Sequence, residues 1–298
     1  MKFSQNVKRI VTIIVIVILS VLLLASVGVN IYLVFDEYGC YLQSKEEIYI
    51  MESGILRNNL DFAKGENFEI SYDLDNAEYP QLIETYAIDE IAGTGTEFEK
   101  ALRLMNEFAP RLNHKSDYDN SVEMNALSLL EYSLDNKNQG INCRNKAQIL
   151  NEMCLSLGIY SRKVWIMPNS GYDNDCHVVN EIWDTELNKW VMLDITNNEY
   201  WVDENGTPLS ILEIRYKGAM QEFCTPVQAD DKLDDLERLK DEYISDFLYI
   251  MKNLTYIQYC DIYTVGESDT MYLLYPENLD TDYELIISEE ASEKSPIK

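Results

Sequence analysis

Histidine is almost missing from this chain of 298 residues: there are two, His114 and His177. Chemistry that needs an imidazole must use one of them, and two scattered histidines among unclustered thiols lack the ligand spacing of a structural zinc site. Basic residues are scarce as well, 24 Lys and Arg against 52 Asp and Glu, a formal charge of −28. Such a surface repels nucleic acid and anionic lipid headgroups, so no nucleic-acid partner is expected. The excess acid reads first as a heavily solvated exterior, and second as an attraction for a basic substrate or a wall polymer bearing free amines. The six cysteines, at 40, 143, 154, 176, 224 and 260, include no Cys-x-x-Cys pair. That argues against a small disulfide-stapled scaffold in a chain long enough to bury a real core. Internal repeats and long low-complexity tracts are absent. The one glycine-rich stretch, Ala92-Gly-Thr-Gly-Thr96, lacks the Gly-Lys-Ser/Thr ending of a phosphate loop and runs into Thr96-Glu-Phe-Glu99, a capping box that starts a helix.

Charge is locally absent too. Val11 to Phe35 is a run of 25 residues without a charge, long enough as a helix to cross a ~30 Å hydrocarbon core. Lys2, Lys8 and Arg9 precede it and Asp36 and Glu37 follow. The positive-inside rule then puts the N-terminus in the cytoplasm and the rest of a single-pass protein outside the cell membrane. The run exceeds a signal-peptide core and no clear Ala-x-Ala site follows, which favours an uncleaved anchor. The expected organisation is a cytoplasmic tail at 1–10, the anchor at 11–35, an amphipathic helix (Glu46 to Leu60) and a polar linker within 36–79, a core at 80–216, and an extension packed on it at 217–298. In that extension Leu236, Leu239, Tyr243, Phe247 and Ile250 are spaced for one helical face, and 254–259 and 271–275 read as strands. The polar end, 288–298, is expected to fray.

Within the core, Ala147, Leu150, Met153, Cys154 and Leu157 recur at helical spacing after Gly140-Ile-Asn-Cys143, and Gly158 ends the pattern. Cys143 therefore sits at a helix N-terminus, where free N–H groups and the helix dipole favour a thiolate, the form that attacks carbonyls. His177 heads a β-branched and aromatic stretch, His-Val-Val-Asn-Glu-Ile-Trp, and Asn188 to Asp194 reads as another strand. The hairpin connection Asp184–Asn188 pairs the two antiparallel and brings His177 toward Asp194. His114, in Arg-Leu-Asn-His-Lys-Ser-Asp past Pro110, reads as a surface turn. Cys154 reads as a small buried hydrophobe. Cys176 is the rival thiol, but neighbours on a strand point to opposite faces, which separates it from His177 and leaves it at most a redox or regulatory role.

Together, Gly140-x-x-Cys143, Leu157-Gly-Ile-Tyr-Ser-Arg162, His177-x-x-x-Glu181 and Lys189-Trp-x-x-x-Asp194-x-Thr196 resemble the transglutaminase-like superfamily over residues 80 to 216, in a bacterial-type membrane-anchored form. The resemblance implies an α+β fold, a papain-like core with helices packed on an antiparallel sheet after one transmembrane helix. It implies Cys143 as nucleophile, His177 as base and acid, and Asp194 as the carboxylate that orients it. Val179 stands where an aromatic residue often follows the histidine, and Ile195 replaces the proline of an Asp-Pro-Thr run. The Cys143 backbone N–H is one expected oxyanion donor, and Gln139, by analogy with papain-like enzymes, a second. The chemistry expected is a thioester formed from a peptide or carboxamide, resolved by water or by an amine, with no cofactor and no metal. The expected partners are a peptide, a protein or a cell-wall peptide. The competing reading is a non-catalytic surface module that keeps the fold and binds a peptide or wall component.

Overall fold

The computed structural model describes residues 5–135, 139–173 and 175–297, in two units, Met1–Ile48 and Tyr49–Lys298. The described residues of the first unit are helical. They belong to α1 (Gln5–Asn58), whose side chains from Val11 to Phe35 are all exposed. An 18-residue window of this helix reaches a mean hydropathy of 3.2. A helix that is apolar all round and has no protein packed on it suits a lipid environment, so α1 is long and apolar enough to be a membrane anchor. The separate amphipathic helix expected at 46–60 is corrected: α1 runs through that stretch without a break. No proline interrupts residues 36–58, and the two glycines there, Gly39 and Gly54, each cost a helix only about 1 kcal/mol.

The second unit starts with the last turns of α1, where Ser53 and Leu56 are buried. In chain order there follow β1 (Ser71–Tyr72), α2 (Tyr79–Tyr86), α3 (Ile88–Ala92), α4 (Glu97–Phe108), a 3-10 turn (Ala109–Arg111), α5 (Ala126–Asp135) and α6 (Cys143–Ser156). Then come β2 (Ser161–Met167), β3 (His177–Asp184), β4 (Lys189–Asp194), β5 (Glu199–Val202), α7 (Ile211–Met220) and β6 (Thr225–Gln228). The chain ends with α8 (Leu236–Glu242), α9 (Ile244–Lys252), β7 (Tyr256–Cys260), β8 (Ile262–Tyr263), β9 (Met271–Leu274) and α10 (Glu289–Glu293).

Seven strands form one sheet in the order β6-β5-β4-β3-β2-β7-β9, every neighbouring pair antiparallel. Because successive side chains on a strand face opposite ways, β4 sends Val191 and Leu193 to one apolar layer and Met192 to the other. On the first face these residues meet Leu104 and Phe108 of α4 and Ile149, Leu150 and Met153 of α6. On the second face Val164, Val179 and Trp201 meet Ile214 of α7 and Phe247, Ile250 and Met251 of α9. β3 lies at the centre and is buried along its whole length. The fold is the α+β arrangement of helices on an antiparallel sheet. At α4, Thr96 accepts from Glu99 N while the Glu99 carboxylate accepts from Thr96 N, the reciprocal cap the sequence predicts.

Several expectations outside the core need correction. Residues 61–76 are not a free linker: Phe62 bridges to Pro276, Glu66 bridges to Ile287, and β1 pairs in parallel with β8. The helix expected from Leu236 to Ile250 is two helices, broken at Tyr243, whose backbone leaves helical geometry. Pro226 lies in the edge strand β6, where a missing N–H is tolerated. The last segment does not fray at 288–293, since Ala291 and Ser292 of α10 are buried and Arg162 donates to the Ser292 carbonyl. The strands β7 and β9 extend the central sheet itself.

Candidate active site

The site begins at the start of α6. Asn142 is extended, its side-chain oxygen accepts from Asn145 N, and the Asn145 side chain accepts from Asn142 N. This cap fixes Cys143 as the first helical residue, and a first-turn N–H has no acceptor within its own helix. Just upstream, Ile141 N donates to the Asn113 carbonyl and Lys115 N donates to the Ile141 carbonyl, both at 3.0 Å. Gly140 permits this approach: a Cβ there would lie 2.8 Å from Lys115 Cβ and 3.2 Å from the Asn113 carbonyl oxygen.

The second component comes from a hairpin. β3 and β4 pair from Asp184↔Lys189 to Asn180↔Leu193, closed by a turn in which Asn188 takes a left-handed conformation at φ 52°. His177 opens one strand and Asp194 closes the other, so both stand at the open end of the hairpin. His177 Nε2 donates to Asp194 Oδ2 at 2.7 Å, with the residues 3% and 0% exposed. Asp194 is itself held, by Thr196 N on Oδ1 at 2.8 Å and Asn197 Nδ2 on Oδ2 at 3.2 Å. With Nε2 engaged, Nδ1 is the nitrogen left for the thiol.

Cys143 and His177 line one cavity of about 540 Å³, together with His114, Cys176, Asp246 and Tyr249. Burial works against an imidazolium at His177, but the Asp194 carboxylate and its hydrogen bond, with the Cys143 thiol adding to them, hold the ring well above its ordinary value. His177 is therefore a stronger base than a free imidazole. Behind the pair, Glu199 of β5 stands opposite Asp194 in the sheet and is fully buried. Burial, then repulsion from Asp194 and Asp246, raises it well above the usual carboxylate range, which favours its neutral form. What this arrangement offers chemically is a thiol at a helix start, a strong base within the same cavity, and a carboxylate that fixes the base's tautomer.

The structure thus brings Cys143, His177 and Asp194 together. Gln139 is elsewhere: it lines a second cavity with Ser128, Glu131, Tyr132 and Asp135 and is not among the residues around Cys143. Between Gln139 and the thiol, Ile141 is tied to residues 113 and 115 by backbone hydrogen bonds. Cys154 is fully buried, and burial pushes its thiol up to about 12. The separation expected between Cys176 and His177 fails. Strand alternation begins at His177, so Cys176 precedes it and turns into the same cavity. Burial and the nearby Cys143 raise the Cys176 thiol. His114 is exposed, as a turn residue should be, yet it also lines this cavity, as do Asp246 and Tyr249 from α9. No local pattern marked them, because only long-range packing brings them here. All six cysteines are free. Among the described residues, no group of three or more His, Cys, Asp or Glu is arranged to hold a metal ion.

Residues 85–195 match the family described as the transglutaminase-like superfamily. A solved structure described as that of a candidate cysteine protease from Cytophaga hutchinsonii is similar at 16% identity with a TM-score of 0.32, covering 52% of each chain. The chain thus spans about half the length of that protein. No curated protein matches the chain.

Proposed function

We propose that this protein, whose residues 85–195 match the transglutaminase-like superfamily, is a cysteine enzyme of the cell surface, with Cys143 as nucleophile, His177 as base and acid, and Asp194 as its orienting carboxylate. The observation that carries this reading is the buried 2.7 Å bond between His177 and Asp194 at the wall of the cavity that holds Cys143.

In the first step His177 takes the thiol proton and the sulfur attacks the carbonyl carbon of a peptide or carboxamide. The negative charge that develops on oxygen is met by the Cys143 backbone N–H at the start of α6. The C–N bond breaks, His177 gives its proton to the departing amine or ammonia, and an acyl thioester stays on Cys143. Attack by water completes a hydrolase; attack by a primary amine completes an acyl transfer. Neither step calls for a metal or cofactor. The helix α1 supports a membrane-anchored form, and the basic residues before Val11 support a cytoplasmic N-terminus with the enzyme domain outside.

The test is thiol reactivity. Iodoacetamide near neutral pH should alkylate Cys143 before Cys176 and Cys154, and His177→Ala should slow Cys143 selectively. Equal rates at Cys143 in the intact protein and the variant would contradict the assignment of His177 as base.

A further inference from the structure

A thiol enzyme that forms a tetrahedral intermediate places more than one donor on the oxygen that gains charge, and the side chain expected for this, Gln139, lies in another cavity. His114 stands in the cavity of Cys143 instead. Its position is built rather than incidental. Residues 113–115 are bridged on both sides of His114 to Ile141, two residues before the nucleophile, and the absence of a side chain at Gly140 lets the two segments touch. The ring is fixed by a 2.9 Å bond between Nε2 and Ser116 Oγ, and Ser116 lines the cavity too. In the tautomer in which the serine hydroxyl donates to Nε2, the ring proton sits on Nδ1.

We propose that His114 is a further catalytic residue, the side-chain donor that hydrogen-bonds the oxyanion formed when Cys143 attacks a carbonyl. This inference rests on the thiol chemistry proposed above. A neutral imidazole suits the task, since it donates one hydrogen bond without competing for the proton that His177 handles. Desolvation first, then the charges of the buried Lys146 and of His177, lower its proton affinity, against a smaller upward pull from Asp194.

An oxyanion donor acts only where charge builds on oxygen, which separates two reactions of the same sulfur. Acylation by p-nitrophenyl acetate passes through a tetrahedral oxyanion: the S–C bond forms, the C–O bond breaks, nitrophenolate leaves, and the thiol proton stays on His177. Alkylation by iodoacetamide displaces iodide and forms no oxyanion. In the full-length protein, His114→Ala should lower the acylation rate of Cys143 by about 10²-fold, typical for loss of one donor, and leave the alkylation rate unchanged. His114→Gln, which restores an N–H, should recover part of the acylation rate. A parallel fall in both rates would mean that His114 acts on the thiol instead, and an unchanged acylation rate would mean that it does not act; either result overturns the proposal. If Cys143 of the unmodified protein reacts with both reagents no faster than Cys176, the underlying thiol chemistry fails, and this role fails with it.

Discussion

Replacing Asp194 with asparagine is the most informative single change, because Asp194 accepts three hydrogen bonds and asparagine cannot reproduce them. Its carboxylate takes Thr196 N on one oxygen, and His177 Nε2 and Asn197 Nδ2 on the other. An asparagine that keeps its carbonyl on Thr196 N must point its NH2 at His177 and Asn197. It then faces a donor at Asn197, and it forces the His177 proton onto Nδ1, the side of the thiol, where the ring can no longer accept the Cys143 proton. The alternative rotamer leaves the Thr196 N–H facing an NH2 group. Either way, the pull that holds His177 above its ordinary value is lost. By analogy with serine triads the change costs up to roughly 10⁴ in turnover, about 5.4 kcal/mol of transition-state stabilisation. The assay is the single-turnover rate of acyl transfer from peptide carboxamides to Cys143, read by mass spectrometry, with circular dichroism to show that the variant is folded. A folded Asp194→Asn protein that acylates at the unmodified rate would refute the role of the carboxylate.

Gly140→Ala should cost about 1–3 kcal/mol of stability and reduce acylation together, since its Cβ would meet Lys115 and Asn113 and push away the segment that carries His114; full activity and an unchanged melting temperature would show that the contact is soft. Glu199→Gln should stabilise the protein increasingly as the pH rises above about 4.5. The folded protein keeps a proton on Glu199 that the unfolded chain has lost, so native stability falls with pH by up to about 1.4 kcal/mol per unit until the raised value is passed. The glutamine variant lacks this loss. Melting curves that run parallel between pH 4 and 7 would contradict a neutral Glu199.

The parts of the site that were legible in the sequence are those with local grammar. Cys143 was marked by the helical repeat that follows it and the glycine that ends it, and His177 and Asp194 by two strands joined through a short turn, so a contact between residues 17 apart followed from one hairpin. What could not be read depends on distant segments. His114 looks like any turn residue until its bridge to Ile141 is seen. Tyr249 and Asp246 reach the cavity only because α9 folds back against the sheet. The strand β5 is four residues long and fully buried, too short for a periodic signal, and Pro226 hides β6. Alternation misplaced Cys176 because the rule was applied one residue before the strand begins.

The central claim is that Cys143 carries an acyl group during turnover. Intact-protein and peptide mass spectrometry after incubation with peptides and wall fragments, with and without an added primary amine, tests it most directly. The account predicts an added acyl mass on Cys143 that hydroxylamine removes, that diminishes when the amine is present, and that is absent from Cys143→Ala and His177→Ala. Turnover of the same substrates with no acyl group ever found on Cys143, or with full rate in Cys143→Ala, would contradict it.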